Sequence, residues 1–220
     1  MSATFVHVLP LALGAAISPT ILTIGVLILS GQHGRLRMAI FTAVNIAAMG
    51  VIGVVVIRLV SHAVTKNSSS AVNGGSATVD VVLGIVLLLL AAKAIFRDDV
   101  DKPEKPKDED ATVHPVRYAL LGLVFTVTNM TTLALFLPAL KEISVAKLPG
   151  GEEILVASAV VLIATVTAWL PLLASIVVPG PADRVLASIN HFTNVHRKSI
   201  TVAVLIFFGL YLLIKGLTEG

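Results

Sequence analysis

A polar interruption within a long apolar stretch holds the residues of this chain best placed to do chemistry. Residues 9–29 are apolar except around Ser18-Pro19-Thr20. Pro19 has no N–H to donate, and its ring clashes with the carbonyl four residues earlier, so a helix through it must kink or break. In a bilayer, backbone groups freed in this way are tolerated only where protein or a water-filled cavity satisfies them. We therefore expect these three residues to face the inside of a helix bundle and to line a substrate pathway.

A second interruption occurs in residues 118–137, where Asn129 and Thr131 lie in an otherwise apolar stretch. Asn45 is a further amide within an apolar stretch, and a buried amide needs hydrogen-bond partners. One interpretation is that these polar side chains only join neighbouring helices, as small and polar residues often do in membranes. The other is that Asn45, Asn129 and Thr131 contact a substrate in a central cavity.

Four more residues are candidates for the substrate pathway. Trp169 and Pro171 lie in the middle of an apolar stretch, where the proline predicts another kink facing the interior. Lys93 and Lys215 are the cations nearest to apolar segments. They could extend their ammonium groups to the lipid headgroups, or they could contact a phosphate, sulfate or carboxylate at the two mouths of a pathway.

Several kinds of chemistry are not supported by the sequence. Of the 13 acidic residues, none lies deep in an apolar stretch, which disfavours a buried proton relay, a divalent-cation channel and a metal exporter. The chain has no cysteine, and it has no catalytic elbow, phosphate-binding loop or cluster with metal-ligand spacing. We expect neither an enzyme nor a protein that uses a metal, a cofactor or a nucleic-acid partner.

The composition is that of a membrane protein with several spans. Of the 220 residues, 56% are hydrophobic and 13% are charged, and the mean hydropathy is +0.95. A membrane helix takes about 20 apolar residues. Six stretches are long enough, and the sequence therefore predicts an all-α integral membrane protein with spans near 5–29, 38–60, 79–97, 117–139, 153–178 and 199–217.

A charged linker divides the chain into two similar halves. Residues 98–116 are rich in charge and proline and separate a three-helix unit at 1–97 from another at 117–220. Because three is odd, the halves would insert in opposite orientations as an inverted repeat, with the first helix of each half kinked or broken. Lysine and arginine are concentrated in loops 31–37, 98–116 and 179–198. This distribution predicts a plasma-membrane protein with both termini outside the cytoplasm.

The chain resembles the actinobacterial glycolipid-addressing proteins, the Sap family, which includes the sulfolipid-addressing type and belongs to the lysine-exporter superfamily. The resemblance lies in residues 9–30 with the GRLR turn that follows, and in residues 181–217. Ser18-Pro19 matches the proline of the family's first span. Relatives often carry Asn-Pro in the second half, whereas this chain has Asn129-Met130. Some superfamily members conduct reducing equivalents through paired cysteines, which this chain lacks.

The resemblance implies a six-span protein involved in moving glycolipids to the cell surface. We therefore expect an exporter or flippase-like transporter for a cell-envelope glycolipid or lipid-linked intermediate, with membrane lipids as partners. Two alternatives remain open: an exporter of amino acids or other small polar solutes, and a non-transporting scaffold for envelope lipid synthesis or export. Envelope-synthesis proteins, larger lipid-export proteins or a second copy of the chain are possible partners.

Overall fold

The computed structural model describes residues 2–66, 72–96, 114–146, 148–178 and 181–218. Helices account for nearly all of these residues, and no strand occurs among them. The helices are α1 (Ser2–Ala16), α2 (Pro19–Leu29), α3 (Gly34–Lys66), α4 (Val72–Phe96), α5 (Pro115–Thr128), α6 (Met130–Val145), α7 (Gly150–Ala164), α8 (Val166–Val177), α9 (Pro181–Val195) and α10 (Arg197–Thr218). The predicted all-α class is confirmed.

Three helices are long and apolar enough to cross a membrane unbroken, within α3, α4 and α10. The other candidate spans are bent pairs, in which a short break separates two helices. The bend is 52° between α1 and α2, 68° between α5 and α6, and 71° between α7 and α8. Counting each pair as one span gives six spans in the predicted places. The predicted breaks in the first helix of each half are confirmed, while the inverted repeat stays a prediction.

The order of the spans defines two ends of the bundle. The end that holds the start of α4, which we call the Asp80 end, also holds the ends of α3, α6 and α10 and the start of α7. The opposite end, which we call the Arg37 end, holds the starts of α3, α5 and α10. Arg37 itself is 1% exposed, and its guanidinium carbon lies 5.3 Å from the centre of the Tyr118 ring.

The two ends are packed differently. A large cluster of buried apolar residues joins α1, α6, α7 and α10, mostly toward the Asp80 end, where α1 packs along α6. Toward the Arg37 end a smaller cluster joins α2, α3, α5 and α8 around Ile24, Phe41 and Tyr118. In that half α2 and α5 make little contact with each other. At the Asp80 end α1 therefore packs directly on α6, whereas at the Arg37 end α2 packs on α3, α8 and α9 and α5 packs on α3.

Glycines bring α4 and α10 into close contact. A Cβ added at Gly84 would lie 2.8 Å from the backbone nitrogen of Leu213 and 2.9 Å from the carbonyl oxygen of Gly209. Such close approach of backbones is how helices gain packing energy in lipid, where no hydrophobic driving force acts between them. The contact joins the third span of the first predicted half to the last span of the second.

The predicted amphipathic segment within 179–198 is a helix, α9. Its apolar residues Val185, Ile189 and Phe192 are exposed, so the bundle leaves this face uncovered. Its place at the membrane surface stays a prediction. The predicted charged linker 98–116 lies outside the described residues except for its last three. The division into halves at this linker stays a prediction.

Candidate functional site where two broken helices meet

The first break occurs at Ile17 and Ser18. Pro19 is the first residue of α2, a position at which a proline loses no helical hydrogen bond. Ser18 has extended backbone angles and caps α2, its hydroxyl oxygen accepting a hydrogen bond from the backbone N–H of Ile21 at 3.4 Å. The proline therefore starts a new helix after the break and does not bend a continuous one. Ser18 and Pro19 are buried, and Thr20 is partly exposed.

The second break occurs at Asn129 without a proline. Asn129 ends α5 and caps α6, with its side-chain oxygen 3.5 Å from the backbone N–H of Thr132. An amide side chain can offer the backbone local hydrogen bonds that compete with the helix, and this makes asparagine a good cap. Asn129 thus lies at a bend of 68° that no proline accompanies.

Hydrogen bonds join the two breaks directly. The Asn129 side-chain N–H group donates to the Ser18 hydroxyl at 2.8 Å and to the Thr132 hydroxyl at 2.8 Å. The Thr132 hydroxyl donates in turn to the Ala15 carbonyl at 3.1 Å. Ala15 lies in the last turn of α1, where carbonyls have no partner within the helix. Thr132, in the first turn of α6, therefore satisfies a carbonyl that the break after α1 leaves open.

The predicted residue Thr131 is not part of this network. It is partly exposed, and the hydroxyl that joins the helices belongs to its neighbour Thr132, which is 4% exposed. The spacing of cap residues could have identified it. An N-cap side chain bonds the residue three positions later, so an asparagine cap at Asn129 points to Thr132.

Asn45 links α3 to α5 beside the breaks. Its side-chain N–H donates to the Thr126 hydroxyl at 2.6 Å, and Thr126 donates to the Gly122 carbonyl of its own helix at 2.7 Å. A Cβ at Gly122 would lie 2.7 Å from the Phe41 carbonyl oxygen, which shows how closely these helices approach. Asn45 is 1% exposed, and its side-chain oxygen has no hydrogen-bond partner among the described residues.

The third break lies at Thr165, which corrects the predicted kink at Trp169 and Pro171. Both residues lie inside α8, which runs unbroken from Val166 to Val177. Pro171 lacks the N–H that would bond the Thr167 carbonyl, and α8 continues through the proline without this hydrogen bond. Trp169 stabilises the break, because its indole N–H donates to the Leu162 carbonyl at 2.8 Å.

Residues from the junction of α9 and α10 reach α2. The Arg197 guanidinium donates to the Thr20 hydroxyl at 2.9 Å, and the Thr23 hydroxyl donates to the Asn194 side-chain oxygen at 2.9 Å. Arg197 thus brings a cation to the first turn of α2, next to the first break. This arrangement was not predicted, because Arg197 lies in a basic turn that topology alone explains.

A cluster of four charges lies at the Asp80 end. The Lys141 ammonium is 2.6 Å from one oxygen of Asp80, and the Lys215 ammonium is 2.7 Å from an oxygen of Glu142. Cross-contacts of 3.7 Å (Lys141 to Glu142) and 3.9 Å (Lys215 to Asp80) complete it. The Asp80 and Lys141 side chains are 1% and 6% exposed. This charge cluster joins α4, α6 and α10 and carries no net charge.

The two predicted anion contacts lie in different surroundings. Lys215 forms ion pairs with Glu142 and Asp80. Neither role predicted for it, contact with lipid headgroups or contact with an anion, includes such a pair. Lys93 is exposed on α4, toward the Arg37 end. The structure does not bring Lys93 or Lys215 to the breaks. Their role as anion contacts stays a prediction.

A groove of about 410 Å³ lies between α3 and α7. Its walls include the small residues Gly50, Gly53 and Ala157, and its mouth at the Asp80 end includes Arg58 and Glu153. We call it the α3–α7 groove. The sequence indicated Gly50 and Gly53 only as a surface for close helix packing, and it gave no sign that α7 leaves them partly uncovered.

Comparison with known proteins identifies the family of this chain. The model of a family described as Sap, sulfolipid-1-addressing protein, matches residues 8–218. No curated protein and no solved structure matches the chain. The match extends through all three bent helix pairs and through the charge cluster. Because it covers nearly the whole length, the chain belongs to the Sap, sulfolipid-1-addressing protein family.

Proposed function

We propose that this protein is a small transporter, an exporter or flippase-like protein, that moves a cell-envelope glycolipid or lipid-linked intermediate across the plasma membrane. It acts without enzymatic chemistry, and both of its termini lie outside the cytoplasm. Ser18, Pro19, Thr20, Asn45 and Asn129 belong to the pathway.

The main support is the hydrogen bond between Asn129 and Ser18, which joins a break in the first span to a break in the fourth. Many transporters place substrate near the midplane, between broken helices of two repeats. A helix in lipid tolerates a break only where its polar groups have partners or face a water-filled cavity. Here the Asn129 and Ser18 caps bond each other across the two halves. Separating the halves would expose both caps to a substrate headgroup.

The unequal packing of the two ends supports alternating access. At the Asp80 end α1 packs along α6 and the charge cluster ties α4 to α6 and α10. At the Arg37 end α2 and α5 make little contact. Rocking of one half against the other around the breaks would open one end and close the other. By the charge rule the Arg37 end is cytoplasmic, so separation of α2 from α5 would open the pathway toward the cytoplasm.

The α3–α7 groove favours an amphiphile over a small polar solute. Exposed Val54, Ile154 and Leu162 line the groove, so its walls continue into the lipid-facing surface of the bundle. A polar solute requires an enclosed polar pathway, whereas a lipid can keep its acyl chains in the bilayer while its headgroup crosses. The family description, which names a sulfolipid, points the same way.

Deleting the gene and measuring the lipids at the cell surface tests the proposal. We expect one glycolipid to disappear from the surface and to accumulate inside the cell, because its headgroup cannot cross unaided. Wild-type protein should restore display, and Asn129→Ala should restore it poorly while reaching the membrane in normal amount. Unchanged display of every envelope glycolipid would overturn the proposal.

The same cells distinguish the alternatives. Accumulation of an amino acid or another small solute, with normal surface lipids, would favour an exporter of polar solutes. A scaffold is tested by replacing residues 98–116 with a neutral linker of equal length. A transporter should keep working after this replacement, whereas a docking scaffold that acts through the linker should fail.

A further inference from the structure

Small residues in its walls make the α3–α7 groove deep. A Cβ atom added at Gly50 would have no other atom within 4 Å, so the space beside this residue is open. A Cβ at Gly53 would lie 3.7 Å from the Leu140 side chain and 3.8 Å from the ring of Phe136. Gly53 therefore packs against α6, the helix that Asn129 caps, while the residues that line the groove belong to α3 and α7. Leu140 directly precedes Lys141 of the charge cluster.

The groove has the shape and polarity that suit a hydrocarbon chain. It follows α3, which crosses the membrane, and it opens between exposed apolar residues. An empty apolar groove of this size would forgo dispersion contacts along its walls. In the bilayer core, the acyl chains of lipids are available to fill the groove.

The mouth adds selection by charge. Arg58 and Glu153 both line it, and Arg58 makes no ion pair within the described residues. Arg58 lies near the Asp80 end of α3, where a span reaches the headgroups. A guanidinium binds phosphate or sulfate oxygens in a two-bond geometry. Glu153 can accept hydrogen bonds from hydroxyl groups of the same headgroup.

We propose that the α3–α7 groove is a lipid-binding site that takes one acyl chain of an anionic lipid, whose phosphate or sulfate contacts Arg58. The site is distinct from the place where the two broken helices meet at Ser18, Asn129 and Thr132, which we call the crossing. Binding does not require transport, so the site and the proposed function can fail independently.

Photolabelling of the full chain in vesicles tests the site. The vesicles contain phosphatidylcholine and a small fraction of phosphatidylglycerol with a diazirine on its acyl chain. After irradiation we expect labelled peptides from residues 46–58 and 153–162. Gly50→Leu should lower this labelling about fivefold or more, the factor that 1 kcal/mol of lost binding produces. Labelling spread evenly over all exposed helices would overturn the proposal.

Two further variants guard against misfolding. Ser158→Leu fills the groove from α7, where Ser158 is exposed, and should act like Gly50→Leu. Ala203→Leu adds the same bulk to an exposed position of α10 outside the groove and should leave labelling unchanged. Equal labelling in all three variants would show that the groove is not the site.

Comparing two lipid headgroups tests whether the groove prefers an anionic lipid. With the diazirine chain carried by phosphatidylcholine, we expect weaker labelling of the two groove peptides than with phosphatidylglycerol. Arg58→Gln should abolish that difference and leave chain labelling by phosphatidylcholine as it was. If Arg58→Gln keeps the preference, or if copies of the protein crosslink through α3 and α7 in place of lipid, the groove is not an anionic-lipid site.

Discussion

The neutral crossing of the broken helices and the charge cluster at the Asp80 end are both polar regions inside a membrane protein, and they solve different problems. At the crossing, the side chains of Asn129, Thr132 and Ser18 bond one another and also bond backbone groups that the breaks leave open. In the cluster, Asp80 and Lys141 satisfy mainly each other's charge. The crossing permits irregular backbone at depth, and the cluster holds the ends of α4, α6 and α10 together.

The difference predicts how each region responds to a change. A neutral hydrogen bond within a membrane contributes little net stability, because the unfolded state in lipid finds other partners. A buried ion pair also contributes little as a unit, but removing one partner leaves an uncompensated charge. Single substitutions should therefore cost more in the charge cluster than at the crossing, although the crossing is the region that we assign to transport.

The largest effect is expected from Lys141→Met. It leaves Asp80 with Lys215 at 3.9 Å as its remaining partner and should lower the free energy of unfolding by about 3–5 kcal/mol. Denaturant unfolding in detergent micelles measures this loss. The matched control is Lys93→Met, since Lys93 is exposed and makes no ion pair within the described parts of the chain, and it should change nothing measurable.

A double variant separates charge from packing. Asp80→Asn combined with Lys141→Met removes both charges and should recover much of the stability that Lys141→Met loses, because the cost comes from an unpaired charge. If the double variant loses as much stability as the two single variants together, the cluster stabilises the fold by packing and not by pairing charges. The contrast with the crossing would then be wrong.

The sequence indicates the crossing but not the charge cluster, and the reason is physical. Asn129 and Pro19 stand out because they lie among apolar residues, so both breaks could be located within a few positions. Asp80 and Lys141 lie at the ends of apolar stretches, where charged residues are ordinary and usually meet headgroups or water. Only the packing of α4 against α10 shows that this end is buried.

The sequence also predicts the spans better than the positions of the breaks within them. The six spans followed from length and hydropathy, which any helix in lipid must satisfy. The break at Thr165 did not follow, because its position depends on contacts between helices, such as the Thr42 hydroxyl donating to the Ala168 carbonyl. Contacts between α3 and α8 have no signature in the local sequence.

An intermediate effect is expected from Asn129→Ala. It removes the bonds to Ser18 and Thr132 together with the cap of α6, and the free energy of unfolding should fall by about 1–3 kcal/mol. The control is Thr128→Ala, whose exposed hydroxyl bonds only the Val124 carbonyl of its own helix. A loss as large as that of Lys141→Met would show that the crossing, too, is a main source of stability.

The smallest effect on stability is expected from Asn45→Leu, which also separates the two roles proposed for this amide. The change removes one hydrogen bond to Thr126, worth about 0.6 kcal/mol in a membrane, and relieves a buried oxygen that lacks a partner. Unfolding should therefore change by less than about 1 kcal/mol. If that oxygen accepts a hydrogen bond from substrate during passage, glycolipid display should fall in cells while stability holds. Normal display would assign Asn45 to helix pairing alone and remove it from the pathway.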